Sequence, residues 1–315
     1  MASSQPTCTL ARQSIVHDST TLTSTSLRLE PFLKWPGGKR WLSSPIAHLA
    51  RGCQHWCEPF VGGGAVFFGV LPTRATLGDA NADLVATYQA LKSKPADVAR
   101  ALQRLGEPSP SAYLRVREMK PRTAVGNAAR FIYLNRTSFN GLHRVNRRGE
   151  FNVPYGHRPP TDLIRRDQLH AAARALKAAR LVRGDFARTL ALASDADFVF
   201  CDPPYTVNHD NNGFLRYNER LFSWTDQLRL AAWVTTFAQR GGSVIVSNAA
   251  HREVMRLYAA SAVTRFRVRR LSRMAASTAF RGTRWELLIV SHAVGSRREI
   301  RDVLAESLLE VVDVR

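Results

Sequence analysis

HWCEPFVGGGAVFF, residues 55–68, starts as an apolar strand, turns on three glycines and re-enters an apolar run. A strand that feeds a glycine turn and then a helix presents bare backbone at the turn, where a ligand can approach closely. The segment ATLGDANADLVATYQAL (75–91) repeats the pattern, with an apolar strand closed by an acid and followed by a helix. Strand, turn, helix, strand is the unit of a doubly wound α/β sheet, which takes ligands at the carboxyl ends of its strands. Farther along, ARLVRGDF (179–186), FVFCDPPY (198–205) and GGSVIVSNAAH (241–251) read as strands with polar ends. Glu58, Asp79, Asp185, Asp202 and Asn248 therefore fall at strand ends, and five together predict a site. RFRVRRL (265–271) and RWELLIVSHAV (284–294) read as a closing antiparallel pair, and the tail from Ser296 as a last helix.

Between the two α/β stretches, residues 84–180 carry helical patterns broken by the polar loop NRTSFNGLHRVNRRGEFNVPYG (135–156). The expected organisation is a Ser/Thr-rich disordered tail over 1–29, a mostly parallel sheet domain over 30–83 and 181–315, and a mainly helical insertion over 84–180. Hydrophobic residues make up 45% of the 315, ordinary for a globular chain, and no apolar run approaches the roughly 18 residues of a membrane span. The net charge of +20 is not ordinary, and it points to a polyanionic partner, nucleic acid first. Only six of the 45 basic residues are lysine; arginine suits bidentate contact with phosphate and guanine. Four scattered cysteines, with Cys53 and Cys57 in CQHWC, lack zinc-site spacing and read as reduced thiols.

The chemistry is written in FVFCDPPY. Asp202 ends the strand, and Pro203 and Pro204 fix the next φ angles and remove two backbone donors. A carboxylate and bare carbonyls then share one rim, which accepts hydrogen bonds and suits an amino group. If Asp202 and the Pro203 carbonyl accept from one NH2, its lone pair leaves conjugation and becomes nucleophilic toward a methyl held in line. Tyr205 offers a face to a planar ring. On the cofactor side, EPFVGGG is neither GxxxxGK[ST] nor GxGxxG. Asp79, some 20 residues on, suits two ribose hydroxyls or the N-terminus of the following helix. FLKWPGGK (32–39) places Trp35 and Lys39 on a tight turn, which reads either as a ligand site, with Trp35 packing on a ligand and Lys39 pairing with a carboxylate, or as a plain turn between two strands.

Taken in order, FLKWPGGK, EPFVGGGAVFF, GDANADL, YLNRTSFNGLHRVNRRGEFNVPYG, GDF and DPPY resemble the Dam-like N6-adenine-specific DNA methyltransferases of the alpha motif order, from about Phe32 to Val290. The resemblance implies S-adenosylmethionine as cofactor, a Rossmann-like methyltransferase sheet, and an inserted target-recognition domain. It implies that Trp35, Lys39, Asp79 and Asp202 serve the cofactor, with Glu58 to Gly64 under its methionine end and Asp185 and Phe186 flanking its adenine. It also implies that Asp202, Pro203 and Tyr205 act on an adenine flipped from double-stranded DNA. Phe139 is similar to the aromatic that enters the gap, and Arg144, Arg147 and Arg148 suit guanine or phosphate. The residues matching Lys34, Leu142, Arg144 and Pro154 read the bases in GATC-specific members, so GATC is the expected site. His143 and Ser138 vary from the commoner family residues. The resemblance further implies a monomer in the cytoplasm, associated with the nucleoid, with a cognate restriction endonuclease as candidate partner. Competing readings keep the fold and methylate RNA adenine or another amino group, or keep only DNA binding. Attack by Cys201 on a cytosine is disfavoured by its place inside the strand.

Overall fold

The computed structural model describes residues 29–146, 148–157, 166–205, 222–271 and 283–314. Strands β1 (Trp56–Glu58), β2 (Ala75–Asp79), β3 (Ala179–Arg183), β4 (Phe198–Cys201) and β5 (Ser243–Ala249) are parallel neighbours. Strands β6 (Val263–Leu271), β7 (Thr283–Ser291) and β8 (Glu310–Val314) complete the same sheet in antiparallel fashion. The order is β3-β2-β1-β4-β5-β7-β6-β8. The chain builds outward from β1 to β3, then returns to lay β4 on the other side of β1. The switch point, where an open α/β sheet leaves a crevice, is therefore at the carboxyl ends of β1 and β4. The glycine turn and Asp202 sit there.

The strands alternate with period two. Trp56, Phe198, Phe200, Ile245 and Leu288 pack on one face. Cys57, Val199, Cys201, Val246 and Ile289 pack on the other, against α8 (Phe186–Leu190) and α9 (Trp224–Gln239). The first face is covered by α3 (Ala82–Ser93), α4 (Pro95–Arg104), α5 (Pro110–Glu118), α6 (Ala124–Thr137) and α7 (Arg166–Leu176), whose buried residues belong to the same core. Smaller helices are α1 (Ser43–Leu49), α2 (Phe67–Val70), α10 (Arg252–Leu257) and α11 (Arg297–Ala305). Residue 84 lies inside α3 and residue 181 inside β3.

Local chemistry sets several starts. The Asn81 side chain accepts from the amides of Asp83 and Leu84 and so caps α3, leaving Asp79 free of that task. Ser223 and Asp226 close a capping box on α9. FLKWPGGK is not a turn between strands. Pro36 and Gly37 (φ 77°) form a turn closed by the Gly38 amide on the Trp35 carbonyl at 3.1 Å, and a 3-10 turn, Arg40–Leu42, follows. The tail also differs from a single helix. After α11 the chain extends again as β8 along β6, where EVVDV alternates as a strand should. Of the Ser/Thr-rich tail only Leu29 is described, and it packs against the first core. Among the described residues no helix is long and apolar enough to cross a membrane.

Candidate active site

Asp202 follows β4 in the parity of Phe198 and Phe200, so its carboxyl continues the first sheet face beyond the strand end. Ser247 on β5 and Glu286 on β7 share that parity and close around it. The Ser247 hydroxyl donates to Asp202 Oδ1 at 2.5 Å. Lys39 Nζ lies 2.8 Å from Asp202 Oδ1 and 3.0 Å from Oδ2, donates to the Gly37 carbonyl at 2.9 Å, and stands 3.8 Å from Glu286 Oε2. Glu286 Oε2 also accepts from the Tyr205 hydroxyl at 2.9 Å, and Lys39 Nζ sits 4.9 Å over the Tyr205 ring. Burial raises the Asp202 carboxyl above its ordinary value, with Lys39 and Ser247 pulling against it. Burial, then the charges of Glu286 and Asp202, keep the Tyr205 phenol protonated well above its usual range. Pro203 is buried.

Asn248 does not belong to the cluster. Its parity sends the side chain to the opposite face, where its amide donates to Gln227 on α9 at 3.1 Å. Ser247 takes the position at Asp202 instead. Ser247 and Glu286 are the site residues that the sequence motifs do not reveal. Glu286 is hidden because β7 runs antiparallel, so a residue near its start lies beside the carboxyl end of β5, opposite Ala249.

The glycine turn is held from three sides. Asp79 accepts from the Gly62 amide at 3.0 Å and from the Asn81 amide at 2.8 Å. The buried Tyr88 hydroxyl donates to the Gly62 carbonyl at 2.9 Å. The Trp35 side chain lies across the turn: a Cβ at Gly62 (φ 47°) would stand 2.8 Å from its ring, and one at Gly63 2.9 Å from its Cβ. Trp35 thus lines the turn as part of the protein. Glu58, 2% exposed, accepts from Trp56 Nε1 at 2.9 Å, and burial pushes its carboxyl up to about 8. It is neutral at pH 7 and adds no charge to the site. Its folded value exceeds the ordinary 4.5, so its stabilising contribution is complete below about 4.5 and is lost as pH rises through about 8. Glu58→Gln should therefore gain melting temperature relative to the unsubstituted protein between about pH 5 and pH 9, read by thermal melts across that range.

Apart from Lys34, the residues expected to meet DNA lie on one continuous loop. Buried Asn135 accepts from the Lys34 amide at 2.9 Å and donates to the carbonyls of Lys34, at 2.7 Å, and Gly141, at 3.2 Å. A Cβ at Gly141 (φ 65°) would stand 2.5 Å from Lys34 Cβ, so the loop and Lys34 are one unit. Phe139 is 41% exposed on a turn kept tight by Asn140 (φ 52°), and its amide donates to the Pro154 carbonyl at 2.9 Å. Leu142 is half-buried, and its carbonyl accepts from Ser138 Oγ. A Val145–Phe151 bridge makes a small hairpin that carries exposed Arg144, whose Nε donates to Asn152 Oδ1 at 2.8 Å. Arg148 is exposed, and Arg147 lies outside the described residues. His143 turns inward. Its ring is 5.1 Å from Phe131, 5.7 Å from Phe151 and 6.2 Å from Trp35, and Nδ1 lies 3.3 Å from the Asn81 amide nitrogen. Burial lowers its pKa and so favours the neutral ring. The segment Lys34 to Lys39 thereby runs from the loop, across the glycine turn, to Asp202.

Asp185 caps α8 through the Ala187 amide and pairs with Arg229 at 2.8 Å, which holds its carboxyl below the usual range. Phe186 stacks on Phe60 at 5.3 Å, with the Arg229 guanidinium 4.8 Å over its ring. Cys201 is fully buried on the opposite face, and burial pushes its thiol well above its usual value, so a thiolate nucleophile is disfavoured.

Comparison with known proteins gives the same answer. Residues 35–274 match the model of the D12 class N6 adenine-specific DNA methyltransferases. The type II methyltransferase M1.LlaDCHI of Lactococcus lactis subsp. cremoris is 34% identical over 247 residues, covering 75% of this chain and 87% of its own length. The DNA adenine methylase of Escherichia coli (strain K12) is 35% identical over 223 residues, covering 69% of this chain and 80% of its own. The DNA N-6-adenine-methyltransferase of Escherichia phage P1 is 34% identical over 230 residues, or 71% of this chain and 30% of its own. With an acid-and-proline rim at the switch point and a family match over most of its length, the chain belongs to the D12 class N6 adenine-specific DNA methyltransferases.

Proposed function

We propose that the chain methylates N6 of an adenine flipped out of double-stranded DNA, with Asp202 and the Pro203 carbonyl as the acceptors that activate the amine. The observation that carries the reading is the half-buried Asp202 carboxyl at the switch point, held by Lys39 and Ser247 in the same cluster as the Tyr205 ring. A carboxylate has about four acceptor positions. Ser247 and Lys39 use three, leaving one for an amino hydrogen. The Pro203 carbonyl takes the second hydrogen, and the lone pair then projects from the ring plane. A carboxyl with a raised pKa is also the better receptor for the proton the amine sheds after transfer. Tyr205 supplies the stacking face.

The donor set fits S-adenosylmethionine. Asp79 accepts from the Gly62 and Asn81 amides, with the Ala80 amide also bonded to it, and its remaining acceptor capacity suits a ribose hydroxyl. Asp202 and Glu286 set two carboxyl groups against the single ammonium of Lys39, an arrangement that favours a cationic ligand. Trp35 and the Gly62 to Gly64 turn give the methionine end a fixed wall, and Phe186 flanks the adenine end. When bound, the cofactor supplies an electrophilic methyl group.

The loop over 135–156 reads the duplex, with Phe139 as the wedge and Lys34, Leu142, Arg144 and Pro154 at the bases of GATC, and the helical region 84–180 serves as the recognition domain. Base flipping costs a few kcal/mol, and an exposed aromatic on a rigid turn offsets it by filling the gap. Arg144→Ala should relax site choice, at about 1–3 kcal/mol for each base the side chain no longer reads, while leaving fold stability within about 0.5 kcal/mol. Single-molecule mapping of methylated adenine in DNA exposed to each protein gives the recognised sequence. An unchanged sequence in the variant sinks the assignment of Arg144, and a parent site other than GATC sinks that expectation.

A further inference from the structure

The two prolines fix the backbone before Tyr205 but leave its χ1 and χ2 free. Something else must hold the ring. Ser247 on β5 bonds its hydroxyl, and a second holder, Glu286, lies on β7 rather than on the strand that carries the motif. Glu286, 4% exposed, sits within β7 with Ala249 of β5 and Val268 of β6 as its register neighbours. The next residues, Leu287 and Leu288, are buried in the two opposite cores, so the backbone at Glu286 is firmly placed. A carboxyl group in a buried strand costs stability unless partners compensate it. Two of its partners are site groups: the Tyr205 hydroxyl at 2.9 Å and Lys39 Nζ at 3.8 Å.

We propose that Glu286 is a positioning residue for methyl transfer: it locks the Tyr205 ring through its hydroxyl and keeps the Lys39 ammonium on one face of that ring, so that the other face receives the adenine. The ring has two faces, and Lys39 stands 4.9 Å over one of them. An ammonium over an aromatic face is itself favourable, and it leaves one side for a base. Lys39 bridges Glu286 to both oxygens of Asp202, so a single carboxyl group on β7 orders the ring and the acid together. Alignment of a nucleophile to within a fraction of an ångström is where positioning residues act on rate. The proposal rests on the reading that Tyr205 stacks on the flipped base.

The test uses the full chain, S-adenosylhomocysteine and a duplex with 2-aminopurine at the target adenine, beside steady-state kinetics on unmodified duplex. Tyr205→Ala should change the fluorescence of the flipped base; if it does not, the stacking reading fails and Glu286 is not at issue. Given that change, Glu286→Ala should alter the same signal and lower kcat about tenfold or more, with KM for DNA moving less. Glu286→Gln, which keeps an acceptor for the phenol, should recover most of both. Tyr205→Phe should lower kcat about tenfold, and adding Glu286→Ala to it should cost less than the product of the separate effects. Full multiplication of the two effects, or an unchanged fluorescence in Glu286→Ala, overturns the proposal. Should Glu286→Ala fail to fold, Tyr205→Phe decides alone: an unchanged kcat and signal overturn it.

Discussion

Asp202→Ala should lower methyl transfer by roughly a hundred- to a thousandfold or more, while affinity for duplex DNA stays within a few fold. The carboxyl accepts from Ser247 and Lys39 inside the site, whereas Phe139 and Arg144, exposed on the loop proposed to meet DNA, draw their positions from Asn135, Pro154 and Asn152. The loss therefore falls on activation of the amine and not on capture of the duplex. Turnover with labelled cofactor, paired with fluorescence anisotropy of a labelled duplex, separates the two. Asp202→Asn keeps the shape and removes the charge, and it should lose nearly as much activity. Retained turnover in either variant would remove Asp202 from the mechanism.

The second large effect concerns stability. The Lys39 side chain is 4% exposed and Asp202 20% exposed, and Lys39 also faces Glu286. Lys39→Ala leaves two carboxyl groups facing each other without their cation. Removing one partner of a buried pair costs about 3–5 kcal/mol, and the partial exposure of Asp202 points to the lower end. The sign with pH follows from Asp202, whose carboxyl is already raised by burial and rises further when Lys39 is gone. A group whose folded pKa is raised favours the folded state at low pH and loses that contribution as pH rises through the folded value. The deficit of Lys39→Ala should therefore be largest in alkaline solution and shrink on acidification. Urea denaturation of variant and parent at about pH 5.5 and pH 8.5 measures it. A deficit independent of pH would mean that poorer packing, not an uncompensated carboxylate, explains the change.

The frame of the molecule is legible in short stretches because each carries its own signal. Alternation in FVFC, the glycines after Glu58 and the acid after ATLG all act within a few residues, and the structure puts β1, β2 and β4 where these predict. What stays hidden depends on register between strands. Ser247 and Asn248 are adjacent and both polar, and only the pairing of Cys201 with Val246 decides which one faces Asp202. Glu286 needs one further fact, the antiparallel course of β7. β8 reads as helix because its few residues mix charged and apolar types, and its edge position beside β6 is a tertiary outcome. His143 lies within a polar loop in sequence, yet its ring packs among Phe151 of the same loop, Phe131 of α6 and Trp35, more than 100 residues earlier. No local pattern announces such a contact.

FLKWPGGK shows the same division. Its glycine turn is readable, and so is the pairing of Lys39 with a carboxylate. That Trp35 lies across Gly62 and Gly63, and that Lys34 is bound into the loop by Asn135, emerges only in the folded chain. These contacts join the 135–156 loop, the glycine turn and Asp202 through six consecutive residues.

The most direct test of the account is to incubate the purified chain with S-adenosylmethionine labelled in its methyl group, with duplex DNA, single-stranded DNA and RNA offered separately, and to identify the labelled nucleoside after digestion. The account predicts label on N6 of adenine, strongest from duplex DNA, and none from Asp202→Ala. Label on cytosine, a preference for RNA, or no transfer to any substrate would contradict it.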